Sequence, residues 1–155
     1  MRLLTILCAM CIAVPSFAGP IAEREGWAIH STNKTYGALV DSVKSAAKAN
    51  GLGVVTQAGP TGAAKRRGIT IPGNRVIGLF NNEFAVDILN LSTAAMIEAP
   101  VRVYVTENKD GTGTLSYKLP SFVFSPYIDD GGPALADLAA ELDAKFADVA
   151  RDAIQ

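Results

Sequence analysis

The sequence predicts a two-layer α+β domain, in which a mixed or antiparallel sheet carries helices on one face. Three observations predict this fold: a β-hairpin with strict alternation at residues 101–119, amphipathic helical stripes on either side of it, and short apolar strands between the helices. The predicted order of elements is β-α-β-β-α-β-β-α. We expect a single domain over residues 19–155, a length that suits one hydrophobic core.

The first predicted elements are a strand, a helix and a second strand, which together predict a β-α-β unit. Residues 27–31 (WAIHS) indicate a short strand. Asn50 and Gly51 are typical of a helix C-terminus, and residues 52–56 (LGVVT) predict the strand that follows. The helix itself is predicted from apolar residues at helical spacing, which are Tyr36, Leu39, Val40, Val43, Ala46 and Ala47.

The middle of the chain predicts a loop, an interior strand and a second helix. Residues 58–68 (AGPTGAAKRRG) begin with turn-forming residues, and residues 63–67 have the composition of about one helical turn. The nearly unbroken apolar run at residues 75–80 (RVIGLF) predicts a strand inside the sheet. We expect Asn82 to be the N-cap of the next helix, and Glu83 to complement the dipole at its N-terminus.

The hairpin and the C-terminal helix are the clearest elements. Valines alternate with polar residues in residues 101–106 (VRVYVT), residues 108–113 (NKDGTG) form the predicted turn, and residues 115–119 (LSYKL) alternate on the return. This alternation places Tyr104 on the face opposite the valines, so it is a candidate for a pocket or an interface. Pro133 is predicted to be the first residue of a long amphipathic helix.

Residues 1–18 (MRLLTILCAMCIAVPSFA) have the pattern of a secretory signal peptide. Arg2 supplies the basic start, an apolar run follows, and small residues precede a predicted cleavage site after Ala18. The apolar run is shorter than the roughly 20 residues that span a bilayer. We therefore expect a periplasmic or secreted protein that has no membrane attachment after cleavage.

The composition of the mature chain excludes several classes of function. Both cysteines lie within the predicted signal peptide, which excludes disulfides, thiol catalysis and cysteine metal ligands from the rest of the chain. The net charge is −1 for the whole chain and −2 without Arg2, so the protein has no general attraction for nucleic acid. Arg102 and Lys118 are too few for an RNA-binding sheet, and no nucleic-acid partner is expected.

Few residues are available for catalysis, and none is assigned a catalytic role. His30 is the single histidine, which excludes triads that need another, and we expect it to be a half-buried or surface residue of the first strand. One histidine makes a poor zinc site, so neither a metal nor a cofactor is expected. Glu83 and Asp87 share a helical face and are either charges that complement the helix N-terminus or a general acid/base pair.

A small set of residues is expected to contact a ligand. The basic cluster after the second predicted strand is either a solvated turn or a binding site for a phosphate or carboxylate. The aromatic-rich residues 120–130 (PSFVFSPYIDD) pack in the core, form a dimer contact or line a pocket. The candidate ligand-binding residues are Lys65, Arg66, Arg67, Asn82, Glu83, Tyr104 and Tyr127.

Several short motifs follow one another in a characteristic order. They are ANG at residues 49–51, VVTQ at 54–57, VIGLF at 76–80, APVRVYV at 99–105, DG at 110–111 and LSY at 115–117. In this order and spacing the sequence resembles the domain of unknown function family 302, over about residues 27–125. The resemblance implies an α+β fold and a homodimer, and it implies no assigned activity.

Two places depart from the pattern of that family. Residues 58–60 (AGP) stand where many members carry Ile-Asp-His, and residues 81–83 (NNE) stand where they carry Gly-Asn-Pro. Any role that the histidine has in other members is therefore not available to this chain in the same form.

Three functions are considered on this basis, one of which is a purely structural or partner-binding interaction module of the cell envelope that presents a flat exposed apolar patch. The first is an exported, non-enzymatic domain that dimerises and binds a small anionic ligand between its sheet and residues 120–130. The alternative is an enzyme of unassigned reaction, in which carboxylates near the second long helix act on an anionic substrate held by residues 65–67. The alternative requires Glu83 and the basic cluster to converge in one cleft.

Overall fold

The computed structural model describes residues 21–155, in which five strands form one sheet. The predicted signal peptide, residues 1–18, lies outside the described residues. The strands are β1 (Trp27–Thr35), β2 (Gly53–Ala58), β3 (Asn74–Phe80), β4 (Val101–Glu107) and β5 (Thr112–Lys118). The helices are α1 (Tyr36–Ala49), α2 (Thr61–Arg66), α3 (Asn82–Leu91), α4 (Pro120–Phe124) and α5 (Ile128–Ile154), with short 3₁₀ helices at Ala95–Glu98 and Ser125–Tyr127.

The sheet is antiparallel throughout, with the strand order β1-β5-β4-β3-β2. The predicted α+β class, the order of the main elements and the hairpin are confirmed. The predicted β-α-β unit does not form a pair of neighbouring strands, because β1 and β2 lie at opposite edges of the sheet. The helix between them crosses the sheet, and α1 therefore contacts β1, β5, β4 and β2.

The core lies between one face of the sheet and the layer of helices. The three valines of β4 are at most 7% exposed and face this core, as the alternation predicts. The predicted stripe of α1 buries Leu39 and Val43 completely. Phe146 of α5 contacts Tyr117 of β5, with ring centroids 5.5 Å apart. Removal of these apolar surfaces from water is the main force that holds the two layers together.

The connection after β5 is helical rather than irregular. Pro120 lies in the first turn of α4, and the backbone N–H of Ser121 donates a hydrogen bond to the Asp143 carboxylate at 2.8 Å. This carboxylate comes from α5, so the sequence near α4 does not reveal that the helix is capped. Phe124 is completely buried and packs α4 into the core.

A glycine divides α5 close to its start. Gly132 has φ 64° and ψ −161°, a conformation outside the helical region that glycine adopts easily. Regular helix therefore continues from Pro133, in agreement with the predicted start. The turn before the glycine contains Asp130, whose carboxylate accepts a hydrogen bond from the Ser92 hydroxyl at 3.3 Å. This bond connects the start of α5 to the end of α3.

The N-cap of α3 is Asn81, so the prediction that Asn82 caps this helix is wrong. The side-chain oxygen of Asn81 accepts hydrogen bonds from the backbone N–H groups of Glu83, at 2.8 Å, and Phe84, at 3.1 Å. Asn81 has an extended backbone, whereas Asn82 is already the first helical residue. The Asn81 amide nitrogen also donates to the Gly51 carbonyl at 3.0 Å, which connects α3 to the start of β2.

We expect the substitution Asn81→Ala to lower the free energy of unfolding by about 1 kcal/mol, because it removes the N-cap of α3. The matched control is Asn82→Ala, which changes an exposed residue and should cost less than about 0.5 kcal/mol. Urea unfolding followed by circular dichroism measures both values. A larger loss for Asn82→Ala than for Asn81→Ala would contradict the assignment of the cap.

Candidate functional site

The face of the sheet opposite the core, which we call the open face, has no helix packed extensively on it within residues 21–155. One row of side chains crosses all five strands on this face, and we call it the apolar row. Its members carry no charge, and three of them are partly exposed to solvent. The strand register aligns Ala58, Val76, Tyr104, Ser116 and Ile29.

The middle of the apolar row is recessed. Ser116 is 0% exposed even though no helix covers it, because it lies between the larger side chains of Tyr104 and Ile29 on the neighbouring strands. The Ser116 hydroxyl donates to the Tyr104 carbonyl at 3.5 Å. The open face therefore presents a tyrosine and an isoleucine on either side of a low point, a shape that suits a flat apolar group.

Two basic side chains stand side by side next to the apolar row, and we call them the basic pair. The register that pairs Val103 with Tyr117 places Arg102 of β4 beside Lys118 of β5. Both side chains are exposed, and neither forms an ion pair within the described part of the chain. Like charges directly opposite each other destabilise a sheet. A bound anion would remove this repulsion.

An aromatic residue continues the basic pair onto β1. Trp27 lies opposite Lys118, and the Arg24 guanidinium lies 5.1 Å from the centre of the Trp27 ring. Together with Glu23 and Ile29, these two residues line a shallow depression of about 450 Å³. The Glu23 carboxylate makes this end of the open face less basic than the basic pair, so the favoured position for an anion is between β4 and β5.

The basic and acidic residues that the sequence singled out do not come together. Lys65 and Arg66 lie on α2 and Arg67 follows it, all of them exposed and all before β3. Asn82 and Glu83 lie at the start of α3, after β3. The seven residues of β3 separate the two groups by roughly 20 Å. The geometry therefore does not favour the enzyme alternative, which requires these groups in one cleft.

The two predicted tyrosines lie in different environments. Tyr104 belongs to the open face. Tyr127 packs against the core, and its hydroxyl donates to the Glu98 carboxylate at 2.8 Å, an interaction that raises the pKa of Tyr127. Within residues 120–130, Pro120 and Phe124 are buried and Phe122 is 41% exposed, so the segment packs on the core through these two buried side chains. Of the two tyrosines, only Tyr104 is on the sheet face that no helix covers.

His30 lies on the core side of β1 and has the half-buried position that the sequence predicts. It is opposite Leu115, and its ring stacks on Tyr117 with centroids 6.0 Å apart. Its buried Nε2 atom has no hydrogen-bond partner among the described residues. Burial lowers the pKa of His30 below its ordinary value of 6.5. Burial, and then repulsion from the Asp143 carboxylate, raises the pKa of Tyr117 to about 12. These features indicate a packing role.

Residues 21–155 contain neither a metal-binding cluster of side chains nor a membrane-spanning helix. No group of three or more His, Cys, Asp or Glu side chains in this range is arranged to hold a metal ion. No helix in the same range has both the length and the apolar composition that are needed to cross a bilayer.

Sequence reasoning missed the basic pair as a site, although a signal for it was present. Arg102 and Lys118 are equally distant from Asp110 at the centre of the predicted turn, so counting outward from the turn would have paired them. The position of Trp27 next to Lys118 had no comparable signal, because β1 and β5 are far apart in the sequence.

Comparison with known proteins shows similarity to a protein family and to solved structures. A family described as "Domain of unknown function DUF302" matches residues 27–153. The crystal structure of an uncharacterized conserved protein DUF302 from Bacillus stearothermophilus aligns with a TM-score of 0.73 at 18% sequence identity, covering 85% of this chain and 100% of that chain. At this identity the likeness establishes the fold alone. A comparison with curated proteins found no match.

We expect the free energy of unfolding to decrease as the pH falls from about 7.5 to about 5.5, because His30 is held neutral in the folded state. The pKa of His30 is lowered from 6.5 by folding. Its contribution to stability is therefore fully present above pH 6.5 and is lost as the pH falls through the folded pKa. Urea unfolding at several pH values should show a smaller slope for His30→Phe, which keeps a ring against Tyr117 but cannot titrate. Equal slopes for the two proteins would contradict this role.

Proposed function

Because the chain belongs to the DUF302 family of domains of unknown function, whose name assigns no activity, we propose a function from the chain's own surface. It is an exported, non-enzymatic, dimeric module that binds a small anionic ligand on the open face. The ligand combines a flat apolar body with a carboxylate or phosphate group. This position replaces the site first expected beside residues 120–130, because that segment packs with its central phenylalanine buried.

The observation that carries the proposal is the basic pair beside the apolar row. Arg102 and Lys118 occupy adjacent strands, whose spacing of about 4.8 Å allows both side chains to reach one anion. Neither has a carboxylate partner in the described part of the chain. An arginine presents paired N–H donors to a carboxylate or phosphate, and the lysine adds a compact positive charge. The two residues therefore favour an anionic group over a neutral one.

The apolar row provides the second half of the ligand site. Tyr104 and Ile29 stand on either side of the recessed Ser116 and are partly exposed. A flat ring that lies across this recess removes apolar surface of both side chains from water, at about 25 cal/mol per Å². Trp27 extends the same surface at the edge next to Lys118. An aromatic carboxylate matches this combination of an apolar surface and adjacent positive charge.

The surroundings of the open face favour binding over catalysis. The hydroxyl of Ser116 is buried and donates to a backbone carbonyl, so it is not available as a nucleophile. The single histidine lies on the other side of the sheet, against Tyr117. Glu23 is the one carboxylate that lines the depression at Trp27, and a lone carboxylate next to Arg24 is better suited to setting ligand orientation than to paired acid/base work.

Binding is tested by isothermal titration calorimetry with 2-naphthoate, and with 2-naphthol as the matched ligand without the carboxylate. We expect naphthoate to bind and to raise the melting temperature, and naphthol to bind at least about tenfold more weakly, since a charge-assisted hydrogen bond contributes about 1.5–3 kcal/mol. The double variant R102Q/K118Q should remove this preference for naphthoate. Because both residues are exposed, the variant should remain folded.

The control is the double variant K109Q/R151Q, which removes the same charge from an exposed lysine and an exposed arginine away from the open face. It should leave the affinity for naphthoate within about twofold, a change of less than 0.5 kcal/mol. An equal loss in both double variants would mean that the ligand senses only the net charge. If aromatic carboxylates and phosphates produce neither heat nor a shift in melting temperature, the binding part of the proposal is wrong.

Export is tested by identifying the N-terminal residue of the protein that is recovered from a periplasmic extract. The pattern of residues 1–18 supports cleavage after Ala18, so intact-mass and N-terminal analysis should give a chain that starts at Gly19. Ala18→Leu, which places a large residue at the cleavage site, should leave the precursor uncleaved. A cytoplasmic protein that retains Met1 in the wild type would contradict export, and it would not affect the test of ligand binding.

A further inference from the structure

We infer that the dimer forms by edge-to-edge pairing of β2 with β2 of a second copy, antiparallel about a two-fold axis, so that one sheet continues through both subunits. This inference rests on the dimeric part of the proposed function and adds to it the surface and the geometry. β2 is the outermost strand and pairs with β3 on one side only. Its other side presents unpaired backbone N–H and C=O groups, which are a template for another strand.

The sequence of β2 lacks charged residues and proline, two of the features that protect an edge strand. GVVTQA at residues 53–58 contains neither a charge nor a proline, and all of its residues except Val54 are exposed. Val55 is 53% exposed. The pairing with β3 shifts register between Val54 and Thr56, so that Val55 has no partner in β3. An axis that passes near Val55 brings this side chain next to its own counterpart and covers both.

The opposite edge of the sheet is protected by contrast near the end of β1. In β1, the Lys34 ammonium donates to the Ala153 carbonyl at 2.9 Å and to the Ser42 hydroxyl at 3.0 Å, which brings the end of α5 to this edge. α5 also contacts β1 directly. A lysine and a covering helix are two of the devices by which natural sheets prevent edge pairing. The two edges therefore differ, and β2 is the one that remains open to a second copy.

The charges at the two ends of β2 are complementary to each other. Lys65, Arg66 and Arg67 follow the end of the strand, and all three are exposed. At its start, the bond from Asn81 to the Gly51 carbonyl holds the acidic first turns of α3. Glu83 and Asp87 are exposed there, and Lys48 at the end of α1 offsets one of the two negative charges. The surroundings of β2 therefore have a net positive charge at the end of the strand and a net negative charge at its start.

An antiparallel pairing uses this complementarity twice. The basic end of one β2 meets the acidic end of the other, and the two-fold axis repeats the contact. A six-residue strand alone buries less than the roughly 800 Å² per partner of a typical stable interface. The contact of α2 with the start of α3 in the second copy supplies further area. A second copy of this chain, rather than an unrelated peptide, carries the matching charges in the required positions.

The first test measures the dimer dissociation constant by analytical ultracentrifugation. We expect the wild-type protein to be a dimer, and Val55→Lys, which places two like charges near the axis, to raise the dissociation constant at least about tenfold. Ser31→Lys is the matched control, because it introduces the same charge at an exposed position of the other edge strand. It should leave the dimer unchanged. Dissociation by Ser31→Lys and not by Val55→Lys would overturn the assignment of the edge.

The second test is a charge exchange between the two ends. R66E/R67E and E83K/D87K should each weaken the dimer at least about tenfold, because each places like charges across the interface. The quadruple variant restores opposite signs and should recover most of the wild-type affinity. Losses that simply add in the quadruple variant would overturn the proposed pairing. All four positions are exposed, and circular dichroism checks that each variant is folded.

The outcomes separate this inference from the proposed function. A wild-type protein that is monomeric at all concentrations removes the dimer and, with it, the β2 interface. A dimer that is insensitive to Val55→Lys and to the charge exchange removes only the β2 interface. Naphthoate binding to the open face can be measured on the monomer and on the dimer. Its outcome is therefore independent of the two tests of the dimer.

Discussion

The burial of one face of the sheet under α1 and α5 is the interaction on which the rest of the structure depends. The side chains of a strand alternate between its two faces, so the covered face collects the valines of β4, Leu115 and Tyr117, and the opposite face receives the residues between them. α1 has to reach from β1 at one edge to β2 at the other, and its crossing path holds the sheet together. With two cysteines, both in the first 18 residues, the described chain has no cross-link that could replace this core.

The division between a covered and an uncovered face also determines where chemistry is available. His30 and Tyr117 are on the covered face, where burial lowers the pKa of the first and raises the pKa of the second to about 12. The uncovered face presents a tyrosine, an isoleucine and a tryptophan next to two cations. A surface with these properties can select a ligand by shape and charge.

Much of the local structure could be predicted from the sequence, because alternation and helical spacing are local signals. The hairpin, α1 and the start of regular helix at Pro133 are examples. Contacts between segments that are distant in the sequence could not be predicted in the same way. Examples are the path of α1 across the sheet, the cap of α4 by Asp143 and the pairing of Trp27 with Lys118. The choice between Asn81 and Asn82 failed for another reason. Both are good capping residues, and the end of β3 decides which of them keeps an extended backbone.

The pairing of β1 with β5 affects the rate at which the domain folds. Among the described residues β1 has β5 as its only neighbour, so the ladder that joins Trp27 to Lys118 closes residues 27–118 into a loop. Such distant antiparallel contacts form late and slow the folding of a domain. On the ribosome, β1 and α1 emerge early but lack the strand against which they pack until β5 has been made. A chain with this topology therefore stays open through most of its synthesis.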